Sequence, residues 1–361
     1  MMQTETKLVF DNATIPNGTV AWQSPSNIAL VKYWGKFPNQ IPCNPSISFT
    51  LSQSVSQTIV HFKPSPSNSY HLEFFLDGQR TEKFEEKIHS FFQSILHLSP
   101  FINQLSFSIH SNNTFPHSAG IASSASGMSA LALCICQIEQ QFFHTLQHHD
   151  DFLRKSSVLA RLGSGSACRS VYGGLVVWGQ TPALPDASNE YAVPITHDVH
   201  PVFIDYCDTI LIIDAEQKKV SSRAGHGLMH QNPFAETRFQ QAHHNMQALL
   251  VAITEGNLND FIQITESEAL TLHAMMMTSQ PAFMLMRPNT IQVIERIQEF
   301  RHQSGIPVCF TLDAGPNVHV LYPAQYQNEV ISFIQKDLIV YLHNGALIQD
   351  RTGQGPIKLN V

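Results

Sequence analysis

The chain has 361 residues, of which 43% are hydrophobic and 14% are charged, and its net charge is −7 with histidine neutral. This composition supports packed cores and excludes a disordered chain. The acidic balance argues against nucleic acid or an anionic membrane as the main partner, although a local basic site for a small anionic substrate is compatible with it.

The length of the chain and its cysteines limit the number of domains and the cellular compartment that we expect. The chain exceeds a typical single domain, so we expect two domains that share one cleft, with a boundary near residue 200. The six cysteines form no C-x-x-C pair and no H-E-x-x-H segment is present, so we predict no zinc site and assign no residue as a metal ligand. The amino-terminal residues lack the apolar segment of a signal peptide, and no apolar run approaches the ~20 residues that span a bilayer. We expect a cytoplasmic protein with free thiols and no membrane partner.

The first half of the chain alternates strand and helix patterns. Alternating β-branched residues predict strands, and apolar residues at helical spacing predict helices. A loop rich in Gly and Ser separates the last of these strands from a helix that extends to about residue 141. The predicted strands cover 46–62, 70–80 with a turn at its end, and 105–115, and the first helix covers 81–98.

A smaller α+β unit is predicted after residue 200. Residues 181–195 are rich in turn formers and are expected to form a peripheral loop before it. The unit begins with the apolar strand of DTILIIDA, which a polar turn and a helix follow. The other predicted elements are helices at 234–255, 257–274, 289–303 and 324–336 and strands in VCFTLDAG, VHVLYP and 345–349.

The stretch NTFPHSAGIASSASGMSALAL places small residues immediately before an apolar helix. Unpaired N–H groups and a positive dipole make a helix N-terminus a binding site for phosphate. Gly120 permits close backbone approach, and Ser123, Ser124 and Ser126 add hydroxyl groups. The Walker and dinucleotide patterns are both absent. Taken alone, the loop does not decide between phosphate binding and a small-residue helix packed tightly on a sheet.

Two further stretches concentrate cationic side chains among small or aromatic residues. In PSNIALVKYWGK, Lys32, Tyr33 and Lys36 follow an apolar strand and would suit a small anion, although solvated lysines at a strand end are the alternative. In RLGSGSACRSVYGG, Arg169 is surrounded by small residues, and its planar fork matches a carboxylate or phosphate. A buried ion pair with a distant Asp or Glu is the alternative for Arg169.

The order Pro116, Gly120-Ile121, Ser123-Ser124-Ala125 resembles the ATP loop of the GHMP kinase superfamily. Together with KYWGK, GSGSACRS and FTLDAGPN, which span most of the chain, it resembles the mevalonate diphosphate decarboxylase family. The resemblance implies an α+β GHMP kinase fold with two-layer α/β packing. Residues 1–200 would form an N-terminal ATP-binding domain like domain 2 of ribosomal protein S5, and residues 201–361 a smaller ferredoxin-like C-terminal domain.

The resemblance also implies a reaction. Family members use ATP to phosphorylate the tertiary 3-hydroxyl of (R)-5-diphosphomevalonate, and loss of that phosphate with CO2 yields isopentenyl diphosphate. Asp313 matches the catalytic carboxylate beside the hydroxyl, Arg169 the arginine that holds the substrate carboxylate, and Lys32 the lysine near both. The partner is therefore a small molecule, and family members are commonly homodimers.

Further positions match binding residues of the family. ATP and Mg2+ are the expected cofactors, and the ATP loop would contribute Pro116, Ser118, Gly120, Ala122, Ser123, Ser124 and Ser126. Substrate binding would involve Tyr33, Trp34, Gly35, Lys36, Ser164, Gly165, Ser166, Ala167, Cys168, Ser222 and Arg223.

The chain departs from the family pattern at Phe37-Pro38 and at Pro45. Three other activities stay open at this point: decarboxylation of the 5-monophosphate, a small-molecule kinase without decarboxylation, and a ligand sensor without catalysis. The presence of Asp313, Arg169 and Lys32 argues against the last two.

Overall fold

The computed structural model describes residues 8–11, 13–67, 69–116, 121–215 and 222–361. The strands in these ranges are β1 (Gly18–Val31), β2 (Ser46–Pro64), β3 (His71–Leu76), β4 (Gln79–Arg80), β5 (Leu105–Asn113), β6 (Leu175–Trp178), β7 (Ala192–Pro194), β8 (Tyr206–Leu211), β9 (Cys309–Leu312), β10 (Val318–Pro323), β11 (Leu347–Arg351) and β12 (Ile357–Lys358). The helices are α1 (Glu82–Ile95), α2 (Ser123–Phe143), α3 (His149–Gly163), α4 (Ser222–Leu228), α5 (Ala235–Glu255), α6 (Leu258–Met277), α7 (Pro288–Ser304) and α8 (Gln327–Phe333). The predicted α+β class is confirmed.

The first sheet has the strand order β12-β1-β2-β5-β3-β4. Its long strand β2 pairs with β6 through its first residues and with β5 through its second half, so one strand serves two neighbours. All pairs are antiparallel except β3 with β5. The strict alternation of buried and half-buried residues along β5 explains why this strand was visible in the sequence.

The second sheet has the order β11-β8-β10-β9, and every pair in it is antiparallel. Along the chain, helices α4 to α7 connect β8 to β9, a turn connects β9 to β10, and helix α8 lies between β10 and β11. The first strand of the unit, β8, lies in the interior of the sheet. This position and this order of connections are those of the ferredoxin-like fold. The ferredoxin-like prediction for the C-terminal unit is therefore confirmed.

The two sheets meet through a shared apolar cluster that determines where functional side chains can gather. Helices α1, α2 and α3 cover the first sheet, and α7 and α8 cover one face of the second. Between the sheets, Ile28 and Phe49 of the first sheet pack with Ile210 and Leu321 of the second and with Phe261 of α6. The end of β1 is thereby held against the second sheet and its helices.

Some elements differ from the sequence prediction. The helix α3 and the short strands β6, β7 and β12 were not predicted. The expected peripheral loop at 181–195 contains β7, which pairs with β6 and so joins the first sheet. The helix expected over 324–336 is a short α-helix followed by a π-helical turn at Ile334–Leu338. Of the helices that the structure describes, none is long and apolar enough to cross a membrane.

Candidate active site

Lys32 follows β1 directly, and its side chain is buried. The last eight residues of β1 are all buried, so Lys32 enters the interior from an apolar strand, and only 1% of it is exposed. Its ammonium group donates to the Ala29 carbonyl at 2.5 Å and to Asp313 Oδ1 at 3.3 Å. Burial lowers the pKa of Lys32, and the Asp313 carboxylate opposes this effect. The charged form of Lys32 therefore depends on its partner.

Asp313 lies in the turn between β9 and β10, and 25% of its side chain is exposed. The turn is fixed at the Asp313 carbonyl, which accepts the N–H of Gly315 at 2.6 Å and Nε2 of His273 at 3.1 Å. Asn317 in the same turn accepts two backbone N–H groups that follow β8, at 2.7 and 3.0 Å. The Asp313 carboxylate is thus carried by a turn that hydrogen bonds fix in place, and it remains accessible to a ligand.

Arg169 lies in a 3-10 helix (Gly165–Val171) and is only 2% exposed. Its guanidinium group donates to Ser46 Oγ at 2.5 Å, Ser48 Oγ at 2.9 Å and Asn27 Oδ1 at 3.1 Å. These partners are all neutral, and the described part of the chain contains no ion pair between Arg169 and a carboxylate. Burial lowers the pKa of Arg169, and Asp313 is among the groups that raise it.

The neutral partners of Arg169 decide against the buried ion pair considered from the sequence. A buried charge without a counter-ion is costly, whereas an anionic ligand would compensate it through a charge-assisted, bidentate contact. Asp313 acts on the charge of both Lys32 and Arg169, and Arg169 acts on that of Lys32, so the three lie in one electrostatic neighbourhood. The structure therefore brings together the three residues that were predicted to be catalytic.

The segment after Lys32 is packed against helix α4. Tyr33 has its ring 4.3 Å from that of His226 and 4.6 Å from that of Trp178, and its hydroxyl is buried without a hydrogen-bond partner in the described structure. Burial raises the pKa of Tyr33. A Cβ atom on Gly165 would lie 2.7 Å from this hydroxyl, so only glycine leaves room for it. The Tyr33 hydroxyl is thus a free donor pointing at the small-residue segment.

Trp34, Gly35 and Lys36 continue this segment. Trp34 is 4% exposed and packs 4.6 Å from the His226 ring, so it belongs to an apolar cluster. Gly35 has φ of +98°, and its N–H donates to His226 Nδ1 at 3.0 Å. The Lys36 ammonium group donates to Gln40 Oε1 at 2.7 Å. Of these three, Lys36 is the one that presents a charged group.

The segment from Ser164 to Cys168 supplies both exposed and buried groups. Ser164 is half-buried, and its Oγ lies 3.4 Å from Ser124 Oγ at the start of α2. Ser166 is also half-buried, while Gly165, Ala167 and Cys168 are buried. Burial raises the pKa of the Cys168 thiol to about 12, so it stays protonated. The two serines are the polar groups of this segment that a ligand can reach.

The predicted ATP loop is only partly within the described residues. Pro116 is exposed and Ala122, with φ of +31°, precedes α2, whereas Ser118 and Gly120 lie outside the described residues. Ser123 and Ser124 open the helix in partly exposed and exposed positions. Ser126 is fully buried, and its Oγ lies 2.6 Å from Ser56 Oγ. Ser123 and Ser124 therefore face solvent, while Ser126 faces the sheet.

Two further predicted residues begin α4. Ser222 and Arg223 open this helix, and their side chains lie outside the described residues. The same helix carries His226, which the sequence reasoning missed although it contacts three residues of the KYWG segment. Burial lowers the pKa of His226 to about 3, with the charge of Lys36 acting in the same direction. His226 is therefore a neutral packing residue that joins α4 to the site.

Sequence reasoning also missed the side chains that hold Arg169. A signal existed for two of them, because Ser46 and Ser48 alternate along β2 and so must point to the same face. Asn27 additionally donates to Ser170 Oγ at 2.8 Å, which fixes the amide and its acceptor oxygen.

Comparisons with known proteins agree over most of the chain. A family model described as the diphosphomevalonate decarboxylase-like N-terminal domain matches residues 24–189, and one described as the mevalonate 5-diphosphate decarboxylase C-terminal domain matches residues 209–354. The diphosphomevalonate decarboxylase of Aspergillus fumigatus is 31% identical over 327 residues, which cover 86% of this chain and 78% of the relative.

Solved structures give the same result for the fold. Mevalonate diphosphate decarboxylase from Staphylococcus aureus matches with a TM-score of 0.81 and 29% identity, covering 96% of this chain and 99% of that one. A structure described as MDDEF in complex with MVAPP, AMPPCP and magnesium matches with a TM-score of 0.81 and 27% identity, covering 96% of this chain and 100% of that one.

Proposed function

Because the chain belongs to the diphosphomevalonate decarboxylase family, we propose that it converts (R)-5-diphosphomevalonate and ATP into isopentenyl diphosphate, ADP, phosphate and CO2. The tertiary 3-hydroxyl is phosphorylated first, and loss of that phosphate with CO2 forms the double bond. This is an ATP-dependent decarboxylation of the mevalonate pathway, which supplies isoprenoid precursors. The fold that carries it is the GHMP kinase fold.

One observation supports this function above all. The buried guanidinium group of Arg169 has neutral partners, and its charge acts on Lys32, which pairs with Asp313. A substrate that carries a carboxylate next to a tertiary alcohol satisfies both features at once, because its carboxylate compensates Arg169 while its hydroxyl reaches Asp313. A phosphate acceptor without a carboxylate would leave Arg169 uncompensated.

Each of the three residues has a definite task in this scheme. Arg169 binds the substrate carboxylate through two parallel N–H donors and so fixes the orientation of the group that leaves as CO2. Asp313 accepts the hydrogen bond of the 3-hydroxyl and aims its oxygen at the γ-phosphoryl group. Lys32 pairs with Asp313 at 3.3 Å and thereby holds the carboxylate in place beside the hydroxyl.

The 5-diphosphate would be bound by the residues that surround the Tyr33 hydroxyl. Tyr33 offers an unpaired donor, and Lys36 contributes a positive charge. The half-buried Ser164 and Ser166 lie just before and within the adjoining 3-10 helix and contribute hydroxyl groups. We assign Ser222 and Arg223 to the same diphosphate on the family resemblance alone. The remaining predicted binding positions, Trp34, Gly35, Gly165, Ala167 and Cys168, would contribute shape rather than charge.

ATP would be bound at the start of α2. The first N–H groups of this helix and the Ser123 and Ser124 hydroxyls suit phosphate oxygens, and Ser118 and Gly120 are assigned there by the resemblance. No group of three or more His, Cys, Asp or Glu side chains suited to a metal is found in the described ranges. Serine hydroxyls and phosphate oxygens are a donor set that suits Mg2+, which when bound neutralises charge on the phosphates.

The broader organisation is also part of this proposal. A division near residue 200 into a domain of residues 1–200 and one of 201–361 is supported by the two family models, which match 24–189 and 209–354. A cytoplasmic location is supported by six free cysteines. A homodimer is proposed from the family resemblance, and light scattering on the purified protein tests it.

A paired assay tests the substrate. ADP release and trapped CO2 are measured with ATP and Mg2+ and either 5-diphosphomevalonate or the 5-monophosphate. We expect kcat/KM to be at least about tenfold higher for the diphosphate, because one further charged phosphate must be bound. A preference for the monophosphate would contradict the assigned diphosphate site.

A further inference from the structure

The backbone of Lys32 is held by side chains from two helices of the second unit. The Lys32 N–H donates to Glu268 Oε2 of α6 at 2.8 Å, and the Lys32 carbonyl accepts from Arg238 Nη2 of α5 at 3.3 Å. Asn44 also donates to this carbonyl, at 3.0 Å. Both polar groups of one backbone residue are thus bound by side chains far away in the sequence.

Arg238 and Glu268 form an ion pair with no exposure to solvent. Their shortest contact is 2.5 Å, a second bond measures 2.9 Å, and both side chains are 0% exposed. Asn245 donates at 2.7 Å to Glu268 Oε1, the oxygen that also accepts the 2.9 Å bond from Arg238. The desolvation cost of such a pair commonly cancels its Coulombic gain, so an apolar pair of similar volume would stabilise the fold as well. Its presence therefore calls for a reason other than stability.

The reason lies in what the pair touches. The ammonium group of Lys32 must stay near Asp313, and a lysine side chain has four rotatable bonds through which a shift of its backbone is passed on. We infer that Arg238 and Glu268 are positioning residues for the reaction: they fix the main chain of Lys32 from the opposite side of the domain interface and so hold its ammonium group beside Asp313. The inference relies on the proposed function only for the role of Lys32.

The pair also affects the charge of Lys32. Burial lowers the pKa of Lys32, whereas Asp313 and, more weakly, Glu268 raise it, and Arg169 lowers it. Other charged or titratable side chains near the Lys32–Asp313 pair include Arg238 of the ion pair itself, Asp208 of β8 with its partner His319, and His273 of α6. Removal of the Glu268 charge should therefore lower the pKa of Lys32 further.

Three variants separate positioning from general stability. E268Q keeps an oxygen acceptor but removes the charge, and the double variant R238M/E268L replaces the ion pair with apolar side chains. The matched control is E266Q, because Glu266 lies on the same helix and forms a similar, partly buried pair with Arg301 at 2.6 Å. All three are compared for melting temperature, for kcat and KM, and for the pH dependence of kcat.

We expect E268Q to lower kcat at least about tenfold, to change KM for ATP less than about twofold, and to move the alkaline limb of kcat to lower pH. R238M/E268L should have a melting temperature close to that of the parent protein, but its kcat should stay low, because Lys32 has lost the acceptor of its N–H. A double variant with the kcat of the parent protein, or an E268Q variant no slower than E266Q, would overturn the inference.

A second readout does not depend on catalysis. Lysine labelled with 13C at Cε allows the pKa of Lys32 to be followed by NMR in the ligand-free protein. We expect this pKa to be lower in E268Q than in the parent protein and unchanged in E266Q. An unchanged pKa in E268Q would overturn the inference. If the chain failed the decarboxylase assay while the pKa shifted as expected, the proposed function would fall and the positioning of Lys32 would stand.

Discussion

The ammonium group of Lys32 lies 3.3 Å from Oδ1 of Asp313, although 281 residues separate the two in the chain. One residue follows a strand of the first sheet, and the other lies in a turn of the second. The contact therefore exists only when the two sheets are packed together. Any activity that needs this pair depends on the apolar cluster between the sheets as well as on the two side chains.

Asp313→Asn should remove the chemistry and keep the binding. The amide has nearly the same shape as the carboxylate, so KM should stay within about tenfold, whereas kcat should fall by at least ~10³ because the hydroxyl loses its charged acceptor. Steady-state kinetics with diphosphomevalonate measures both values. Near-normal turnover would exclude Asp313 from the reaction.

Arg169→Lys should lower kcat/KM about as strongly as Arg169→Ala, by roughly 10²-fold or more. Lysine keeps the positive charge but lacks the planar fork that Ser46, Ser48 and Asn27 hold in place. Arg296→Lys is the matched control, because the Arg296 side chain is exposed and pairs with Glu299 on the same helix. An active Arg169→Lys variant would show that a bidentate contact to the carboxylate is not required.

Two serines at the start of α2 should behave differently. Ser124 is exposed, so Ser124→Ala should raise KM for ATP while the melting temperature is unchanged. Ser126 is buried and bonded to Ser56, so Ser126→Ala should cost about 1 kcal/mol of stability and leave KM for ATP nearly unchanged. Thermal unfolding and ATP kinetics on both variants measure the contrast. The opposite pattern would mean that Ser126 is the serine that binds ATP.

His226 should contribute to acid sensitivity. Its pKa is lowered by burial from 6.5 to about 3, so between these values the unfolded chain binds the proton and the folded chain does not. The stability that neutral His226 provides is present above pH 6.5 and is lost as the pH falls towards 3. His226→Asn, which keeps an acceptor for the Gly35 N–H, should show a smaller fall in melting temperature over this range than the parent protein. Equal slopes would refute the assignment.

Much of the fold was predictable from periodicity. The apolar stripe of α1 is buried at Ile88, Phe91, Phe92 and Ile95, and this spacing was visible in the sequence. Helix α3 was not predicted, because its buried face includes Ser156, Ser157 and Arg161 beside a few apolar residues. Buried polar residues weaken the hydrophobic pattern on which a helix prediction relies.

The residues of the site also divide into those that the sequence indicated and those that only the structure shows. Motifs along the chain led to Lys32, Arg169 and Asp313, because these residues stand within unusual local sequences. Arg238 and Glu268 stand in ordinary helical sequence, and Glu268 reaches the Lys32 N–H across 236 residues. Contacts over such separations depend on the packing of the two sheets, which local patterns do not specify.

Isotopic labelling of the tertiary alcohol tests the proposed reaction most directly. Diphosphomevalonate labelled with 18O at the 3-hydroxyl is incubated with the protein, ATP and Mg2+, and ADP, CO2 and phosphate are quantified. We predict equal amounts of all three, with the label in the phosphate, because the phosphorylated oxygen leaves carbon as CO2 is lost. ADP formed without CO2, or label retained on the organic product, would contradict decarboxylation through phosphorylation at this site.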